Sequence, residues 1–145
     1  MGLFDIFKKD KGKELFEENS AAEEKAERIR AEIDRMGLRG DIQVRVEGNK
    51  VKISGKVPDQ ATKEKLMAIA GNTRHIDTVD DDGLSTDQPG NAAKWHEVKS
   101  GETLSAIAKE HYGDANAYNR IFEANRPMLE DPDKIYPGQV LRIPQ

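Results

Sequence analysis

Residues 85–93, which carry no large apolar side chain, are the feature that most constrains how this chain folds. Their sequence, STDQPGNAA, contains a Pro-Gly pair, and such pairs mark turns and connections rather than helices or strands. Patterned apolar residues lie on both sides of this stretch. The chain has 145 residues, enough for one ordinary domain or two small ones. The break therefore predicts two small domains, with a linker over 88–93.

Apolar spacing predicts the first elements of the first domain. Between residues 22 and 36, apolar side chains recur at steps of three and four, which is the spacing of one helix face. Gly37 can end this helix in a left-handed conformation. Alternating apolar residues over 42–46 and 51–53 predict two strands, joined by a tight Gly-Asn turn at 48–49.

A second helix and a third strand complete this domain. Asp59 can cap the helix, and Gly71 can end it. Apolar residues within 76–84 then predict a last extended element. The predicted order is helix, strand, strand, helix, strand.

The second domain has a different order of elements. A short strand is predicted over 95–98, Thr103 can cap a first helix, and Asp114 can cap a second. The Pro-Gly turn at 137–138 leads into a last strand over 140–143. We expect the second helix to turn three apolar residues inward: Tyr118, Ile121 and Phe122.

The first 18 residues mix apolar side chains with lysines and acids. One interpretation is an amphipathic membrane anchor, and the other is a segment folded onto the protein's own core. The segment lacks the strongly cationic face that surface anchors use. We therefore predict that residues 1–18 pack on the first domain.

Charge and cysteine content exclude several classes of function. The chain has 23 Lys and Arg against 27 Asp and Glu, a net charge of −4, so nucleic acid is not an expected partner. It has no cysteine, which excludes disulfide scaffolds and thiolate metal sites. No secretory signal and no run long enough to span a bilayer is present. We expect a cytoplasmic monomer with no stable membrane insertion.

Catalytic chemistry has no recognisable basis in this sequence. Carboxylates are abundant, but none lies in an acid–base or nucleophile motif, and no phosphate-binding glycine loop is present. The three histidines, His75, His96 and His111, lie on separate predicted elements, so a zinc site would require the fold to gather them. We predict that the chain is not an enzyme.

Three segments of the second domain resemble the LysM family over its full length. They are VKSGETLSAIAKEHYG, YNRIFEAN and IYPGQVLRIP, in the order and spacing of that family. Each has a physical role, since Gly101 permits a turn, Thr103 caps a helix and the 137–138 turn sets the return strand. The resemblance implies a β-α-α-β domain over 94–144.

The first domain resembles the more degenerate BON family. GKV at 55–57 and IDTV at 76–79 carry most of this likeness, which implies an α-β-β-α-β domain over 19–87. The whole arrangement, an MGLF start, a BON-like domain, a linker and a LysM-like domain, resembles the cytoplasmic potassium-binding protein family of bacteria. It implies an α+β chain that binds K⁺ selectively and reversibly, with the two domains brought together by the ion.

A potassium site has no side-chain signature, because proteins select this cation with shells of backbone carbonyl oxygens. Free carbonyls collect at helix C-termini, where the helix dipole is also negative. The helix end with its loop at 71–76 and the break at 7–12 both meet this requirement. Together with the resemblance, this predicts K⁺ ligation by the carbonyls of Phe7, Lys11, Gly71, Thr73 and Ile76.

Two other functions remain open. LysM domains typically hold N-acetylglucosamine-containing glycans, as in peptidoglycan, in a shallow groove, and BON domains are suspected of membrane contact, which would suit a phospholipid-associated stress-response protein. The acidic charge balance disfavours the membrane alternative. The resemblance to LysM places the glycan alternative on six residues: Gly101, Glu102, Thr103, Leu104, Asn125 and Pro127.

Overall fold

A four-stranded sheet covered by two helices forms the first domain in the computed structural model, which describes residues 3–38, 40–88 and 90–145. The strands lie in the order β1-β4-β3-β2, with β3 and β4 parallel and the other pairs antiparallel. The elements are β1 Leu3–Phe4, α1 Ala22–Arg35, β2 Asp41–Glu47, β3 Lys50–Asp59, α2 Gln60–Gly71 and β4 Thr78–Gln88. The predicted order of helices and strands is confirmed, and β1 is an additional edge strand.

Local signals in the sequence set the ends of these elements. Gly37, just after α1, has a φ of +75°, the left-handed conformation expected of it. The side chain of Asp59 accepts a hydrogen bond of 2.8 Å from the backbone N–H of Thr62, so it caps α2 as predicted. Ile29 of α1 and Leu66 of α2 are buried against the sheet.

Strand β4 extends further than the sequence predicts. It continues to Gln88, through residues 85–88 of the polar stretch and into the first position of the linker predicted over 88–93. Beyond Asp80 this strand pairs only with β3, because β1 is two residues long. A strand that is paired on one side only tolerates polar residues. Composition alone therefore does not identify this end of β4 as a strand. Pro89, in the predicted linker, lies outside the described residues.

The second domain is a two-stranded antiparallel sheet with two helices. Its elements are β5 Lys94–Glu97, α3 Leu104–Tyr112, a 3₁₀ turn at Ala115–Ala117, α4 Tyr118–Ala124 and β6 Val140–Ile143. Thr103 caps α3 by accepting a bond from Ala106, as predicted. Tyr118 is 38% exposed, so the prediction that it faces inward is wrong. It is the first residue of α4, one turn before the fully buried Ile121, and lies past the edge of this small core.

The N-terminal segment lies against the first domain. β1 pairs with β4, and the side chains of Phe7 and Phe16 are buried in the core that includes the two helices and the sheet. Residues 1 and 2, which the prediction for this segment includes, are not among those described. None of the helices in the described ranges combines the length and apolar character that crossing a membrane requires.

Candidate functional site

The two segments predicted to supply carbonyls lie against each other. Lys13 donates its backbone N–H to the carbonyl of Asn72 at 3.0 Å, and its own carbonyl accepts from Arg74 at 3.0 Å. The N–H of His75 donates to the carbonyl of Lys9 at 2.6 Å. The N-terminal segment and the loop after α2 therefore meet at one parallel β-bridge, between Lys13 and Thr73, with the His75–Lys9 bond beside it.

Two glycines make this close approach possible. A Cβ atom on Gly12 would clash with the carbonyl of Asn72, and the φ of Gly12 is +98°. At the end of α2, a Cβ atom on Gly71 would run into the ring of Phe7. The backbone therefore reaches these positions only because neither residue carries a side chain.

Four of the five predicted carbonyls accept no backbone hydrogen bond from the described residues. No backbone N–H within the described ranges donates to the oxygens of Phe7, Lys11, Gly71 or Ile76. The oxygen of Thr73 accepts from Ile76 at 3.1 Å and keeps a second lone pair. Unpaired main-chain carbonyls in one small region are what carbonyl ligation of a cation requires.

A cavity of about 570 Å³ adjoins this loop and lies between the two domains. Its charged lining consists of five cationic side chains and two carboxylates: Lys11, Lys13, Arg35, Arg74, Lys134, Glu32 and Glu130. Side-chain charge in the cavity therefore does not favour a cation.

Two titratable groups of the cavity have shifted pKa values. Hydrogen bonds from Arg35 and from Lys13, the latter at 2.7 Å, lower the pKa of Glu32 below its usual value despite the opposing effect of burial. Burial raises the pKa of Tyr136 to about 12. Glu32 is thus a charged carboxylate and Tyr136 a neutral hydroxyl at neutral pH.

Asn72, inside the candidate loop, connects the two domains. Its amide Nδ2 donates to the carbonyl of Val140 and its Oδ1 accepts from the N–H of Val140, both at 2.8 Å. The same Nδ2 donates to Ala68 of α2 at 2.8 Å. Both backbone groups of a β6 residue are therefore satisfied by one side chain from the other domain.

Asn125 makes the matching contact within the second domain. It follows α4 as Asn72 follows α2, and its amide bonds both backbone groups of Arg142 at 2.8–3.0 Å. Its Nδ2 also donates to Ile121, one turn back in α4. The edge of β6 that β5 leaves unpaired is thus held by two asparagine side chains, one from each domain.

A buried ion pair and an aromatic cluster complete the domain interface. Arg142 donates to Glu64 Oε1 from Nε at 3.0 Å and from Nη2 at 2.8 Å, and both side chains are buried. Trp95 of β5 meets the rings of Phe4 and Phe7 edge-on, at centroid distances of 6.3 and 6.1 Å. Charge pairing and apolar packing therefore hold the same two surfaces together.

The six residues predicted for glycan binding divide into exposed and buried groups. Gly101 and Thr103 are exposed, and Glu102 and Pro127 are half-buried. Leu104 and Asn125 are each 2% exposed, and the amide of Asn125 is occupied by hydrogen bonds. Of the six predicted residues, only the 101–103 loop and Pro127 present surface to a glycan in this arrangement.

Sequence reasoning did not find the residues that join the domains. An asparagine after a helix and a glutamate within one are ordinary surface residues in a sequence, so neither Asn72 nor Glu64 stands out there. Burial and partners far along the chain distinguish them, and neither is visible in a single sequence. Gln139, which lines the cavity, has a buried Oε1 with no hydrogen-bond partner among the described residues and was also missed.

Comparison with protein families matches residues 21–87 to the BON domain and residues 96–144 to the LysM domain. Both are families of binding modules. An esterase of Mycobacterium tuberculosis is 47% identical over 49 residues, but these are 34% of this chain and only 10% of the esterase. That similarity covers too little of the esterase to assign its activity to this chain.

Two further relatives match most of the chain. An uncharacterized protein of Deinococcus radiodurans is 32% identical over 113 residues, covering 71% of this chain and 44% of that protein. The potassium binding protein Kbp of Escherichia coli O6:H1 is 43% identical over 150 aligned positions, covering 100% of this chain and 99% of that protein. The chain therefore belongs to the family of the potassium binding protein Kbp, with a BON domain followed by a LysM domain.

Proposed function

We propose that this chain is a reversible, K⁺-selective receptor in which backbone carbonyls of the 7–11 and 71–76 segments bind the ion. The observation that supports the proposal is the backbone pairing of these two segments at Lys13 and Thr73, beside carbonyls that accept no backbone hydrogen bond from the described residues. The Escherichia coli relative, which is 43% identical to this chain, is named a potassium binding protein. K⁺ suits carbonyl ligands because it is large and gives up its hydration shell readily.

The charges around the loop support carbonyls, rather than carboxylates, as the ligands. The adjoining cavity is lined by more cations than carboxylates, and Glu32 is already bonded to Lys13 and Arg35. A divalent ion would need carboxylate ligands in such surroundings. A monovalent ion held by neutral dipoles does not.

Ion binding and domain docking are coupled in this proposal through Asn72. Its neighbours, Gly71 and Thr73, are both among the proposed ligands, and its side chain holds Val140 of the LysM domain. An ion that orders the loop also fixes the position of this amide. K⁺ therefore favours the docked arrangement to the extent that it binds that arrangement better.

The direct test is calorimetric titration of metal-free protein with KCl and with NaCl, at constant ionic strength set by a bulky organic cation. Saturable heat with K⁺ and little with Na⁺ is expected. Absence of heat with both ions, in protein that is folded by circular dichroism, would refute the proposal.

Substitutions at Thr73 test the loop itself. Proline at this position removes the N–H that donates to Ala70 and disfavours the observed backbone angles of Asn72 (φ −84°, ψ 22°), so Thr73→Pro should weaken K⁺ binding. Thr73→Val keeps the carbonyl and the shape and loses only the hydroxyl bond to Ile69. Equal K⁺ affinity in the two variants would remove this loop from the site.

Substitutions at glycine test the N-terminal segment. Gly12→Ala pushes a Cβ into the carbonyl of Asn72 and should separate the two segments. Gly37→Ala is a matched control, because Gly37 also has a positive φ but no atom lies within 4 Å of its Cβ position. K⁺ binding should be lost in the first variant and retained in the second. Retention in both would show that the pairing of these two segments does not form the site.

The alternative function is glycan binding through the LysM domain. It is favoured by the family match and by the exposure of Gly101 and Thr103. Calorimetric titration with chito-oligosaccharides tests it. Saturable heat with these glycans and none with KCl would make glycan binding the preferred function. Fractionation of cells tests the cytoplasmic location that the K⁺ proposal includes.

A further inference from the structure

Two of the three histidines meet in the LysM domain, where β5 lies beside the end of α3. His96 Nδ1 and His111 Nε2 are 3.0 Å apart, although the residues are 15 positions apart in the chain. The carboxylate of Glu110 is 3.9 Å from His111 Nε2. One ligand atom from each of these residues lies within 4.8 Å of the others. The fold thus gathers side chains that sequence spacing left apart.

A fourth residue fixes the orientation of His96. Its Nε2 is 2.9 Å from Glu102 Oε1, and this oxygen is held in turn by the backbone N–H of Lys99 at 2.7 Å. A charged carboxylate only accepts hydrogen bonds, so in neutral His96 the proton is on Nε2 and Nδ1 presents its lone pair to His111. Histidines that bind metals commonly donate their other N–H to a carboxylate in this way.

We propose that His96 Nδ1, His111 Nε2 and the Glu110 carboxylate form a site for a divalent transition-metal ion of the zinc class. Imidazole and carboxylate groups are ligands that Zn²⁺ accepts, and water would complete a tetrahedral set. Two nitrogens that are each about 2.0–2.1 Å from a tetrahedral zinc lie about 3.3 Å apart, so the observed 3.0 Å needs only a small adjustment. Glu110 is exposed and free to rotate toward the ion.

Metal binding at this place would cross-link β5 to α3. The site is in the LysM domain and uses none of the carbonyls proposed for K⁺, so the two sites can be tested separately. An ion that binds only the folded domain raises its stability in proportion to the logarithm of the ion concentration above the dissociation constant.

The test is a calorimetric titration of the full chain with ZnCl₂ in saturating KCl, with thermal melting as a second readout. One saturable site is expected, lost in His111→Gln and weakened in Glu110→Gln. Glu102→Ala, which removes the hydrogen-bond partner of His96, should weaken binding by about 10- to 100-fold. His75→Asn is the matched control, because asparagine tolerates the left-handed backbone of His75 and this residue is outside the site.

The outcomes separate a metal site from a simple hydrogen bond between imidazoles. A zinc-dependent rise in melting temperature in wild type and His75→Asn, absent in His111→Gln, supports the site. No saturable Zn²⁺ binding by wild type, or equal affinity in His111→Gln and His75→Asn, overturns it. If His111→Gln fails to fold, Glu110→Gln decides, because this exposed side chain can be altered without loss of packing.

Discussion

Replacing Asn72 by alanine removes the side chain that joins the candidate ion loop to the LysM domain. In the docked protein its amide satisfies the N–H and the carbonyl of Val140, which is 1% exposed. Ala68 loses the amide bond but keeps a second one, from the backbone N–H of residue 72 at 2.9 Å. The backbone bond between Lys13 and the carbonyl of residue 72 does not depend on this side chain. The substitution therefore acts on docking more than on the loop.

The magnitude follows from the two backbone groups that alanine leaves without partners. A buried unsatisfied donor or acceptor costs about 1–3 kcal/mol, so the docked state loses about 2–6 kcal/mol. Water satisfies both groups when the domains separate, so the loss falls on the docked state alone. At the lower bound, docking becomes about 30-fold less favourable. Apparent K⁺ affinity can fall by no more than the factor by which docking falls.

The assay uses the one tryptophan of the chain, Trp95, as a reporter of docking. It packs against Phe4 and Phe7, so separation of the domains exposes it and moves its emission to longer wavelength. Asn125→Ala is the matched variant: it removes the same kind of bonds within the LysM domain and should lower that domain's stability while the folded protein stays docked. If Asn72→Ala keeps wild-type emission, small-angle scattering and K⁺ affinity, the reasoning is refuted.

Two further predictions concern ion pairs. Glu64→Ala leaves the buried guanidinium of Arg142 unpaired and should lower the free energy of unfolding by about 3–5 kcal/mol in urea titrations, whereas Glu123→Ala, which breaks an exposed pair, should change it by no more than about 1 kcal/mol. Equal changes in the free energy of unfolding for the two variants would contradict the conclusion that the first pair is buried and the second exposed. The pKa of Glu32 is lower in the folded state than its ordinary value of 4.5. Its contribution to the free energy of unfolding is therefore complete above pH 4.5 and is lost as the pH falls below that value. Stability should therefore decline less steeply with acid in Glu32→Gln than in wild type, and parallel curves would contradict this.

The order of helices and strands could be predicted because it depends on local spacing. Gly37, Asp59 and Thr103 act on the helix turn next to them. Their roles as helix-ending and helix-capping residues can therefore be predicted from the sequence. The polar end of β4 was not predictable in this way. Its pairing is supplied by β3, and its own composition resembles that of a linker.

The candidate site was predictable only in its backbone part. Helix ends expose carbonyls whatever the side chains are, so the loop after α2 and the N-terminal break could be named, and the structure brings these segments together. The contact between Glu64 and Arg142 spans 78 residues, and that between Asn72 and Val140 spans 68. Such contacts depend on how the two domains meet. No periodicity within one element encodes them.

The coupling between ion and docking makes a prediction that does not depend on the loop. If K⁺ favours docking by some factor, docking must raise K⁺ affinity by the same factor, whichever contact holds the domains together. Glu64 lies outside the loop and binds Arg142, so Glu64→Ala weakens docking without touching the proposed ligands. K⁺ affinity in this variant should therefore fall in proportion to the change in Trp95 emission. If docking is lost and K⁺ affinity is unchanged, the ion binds the BON domain alone, and the contact through Asn72 does not transmit its binding.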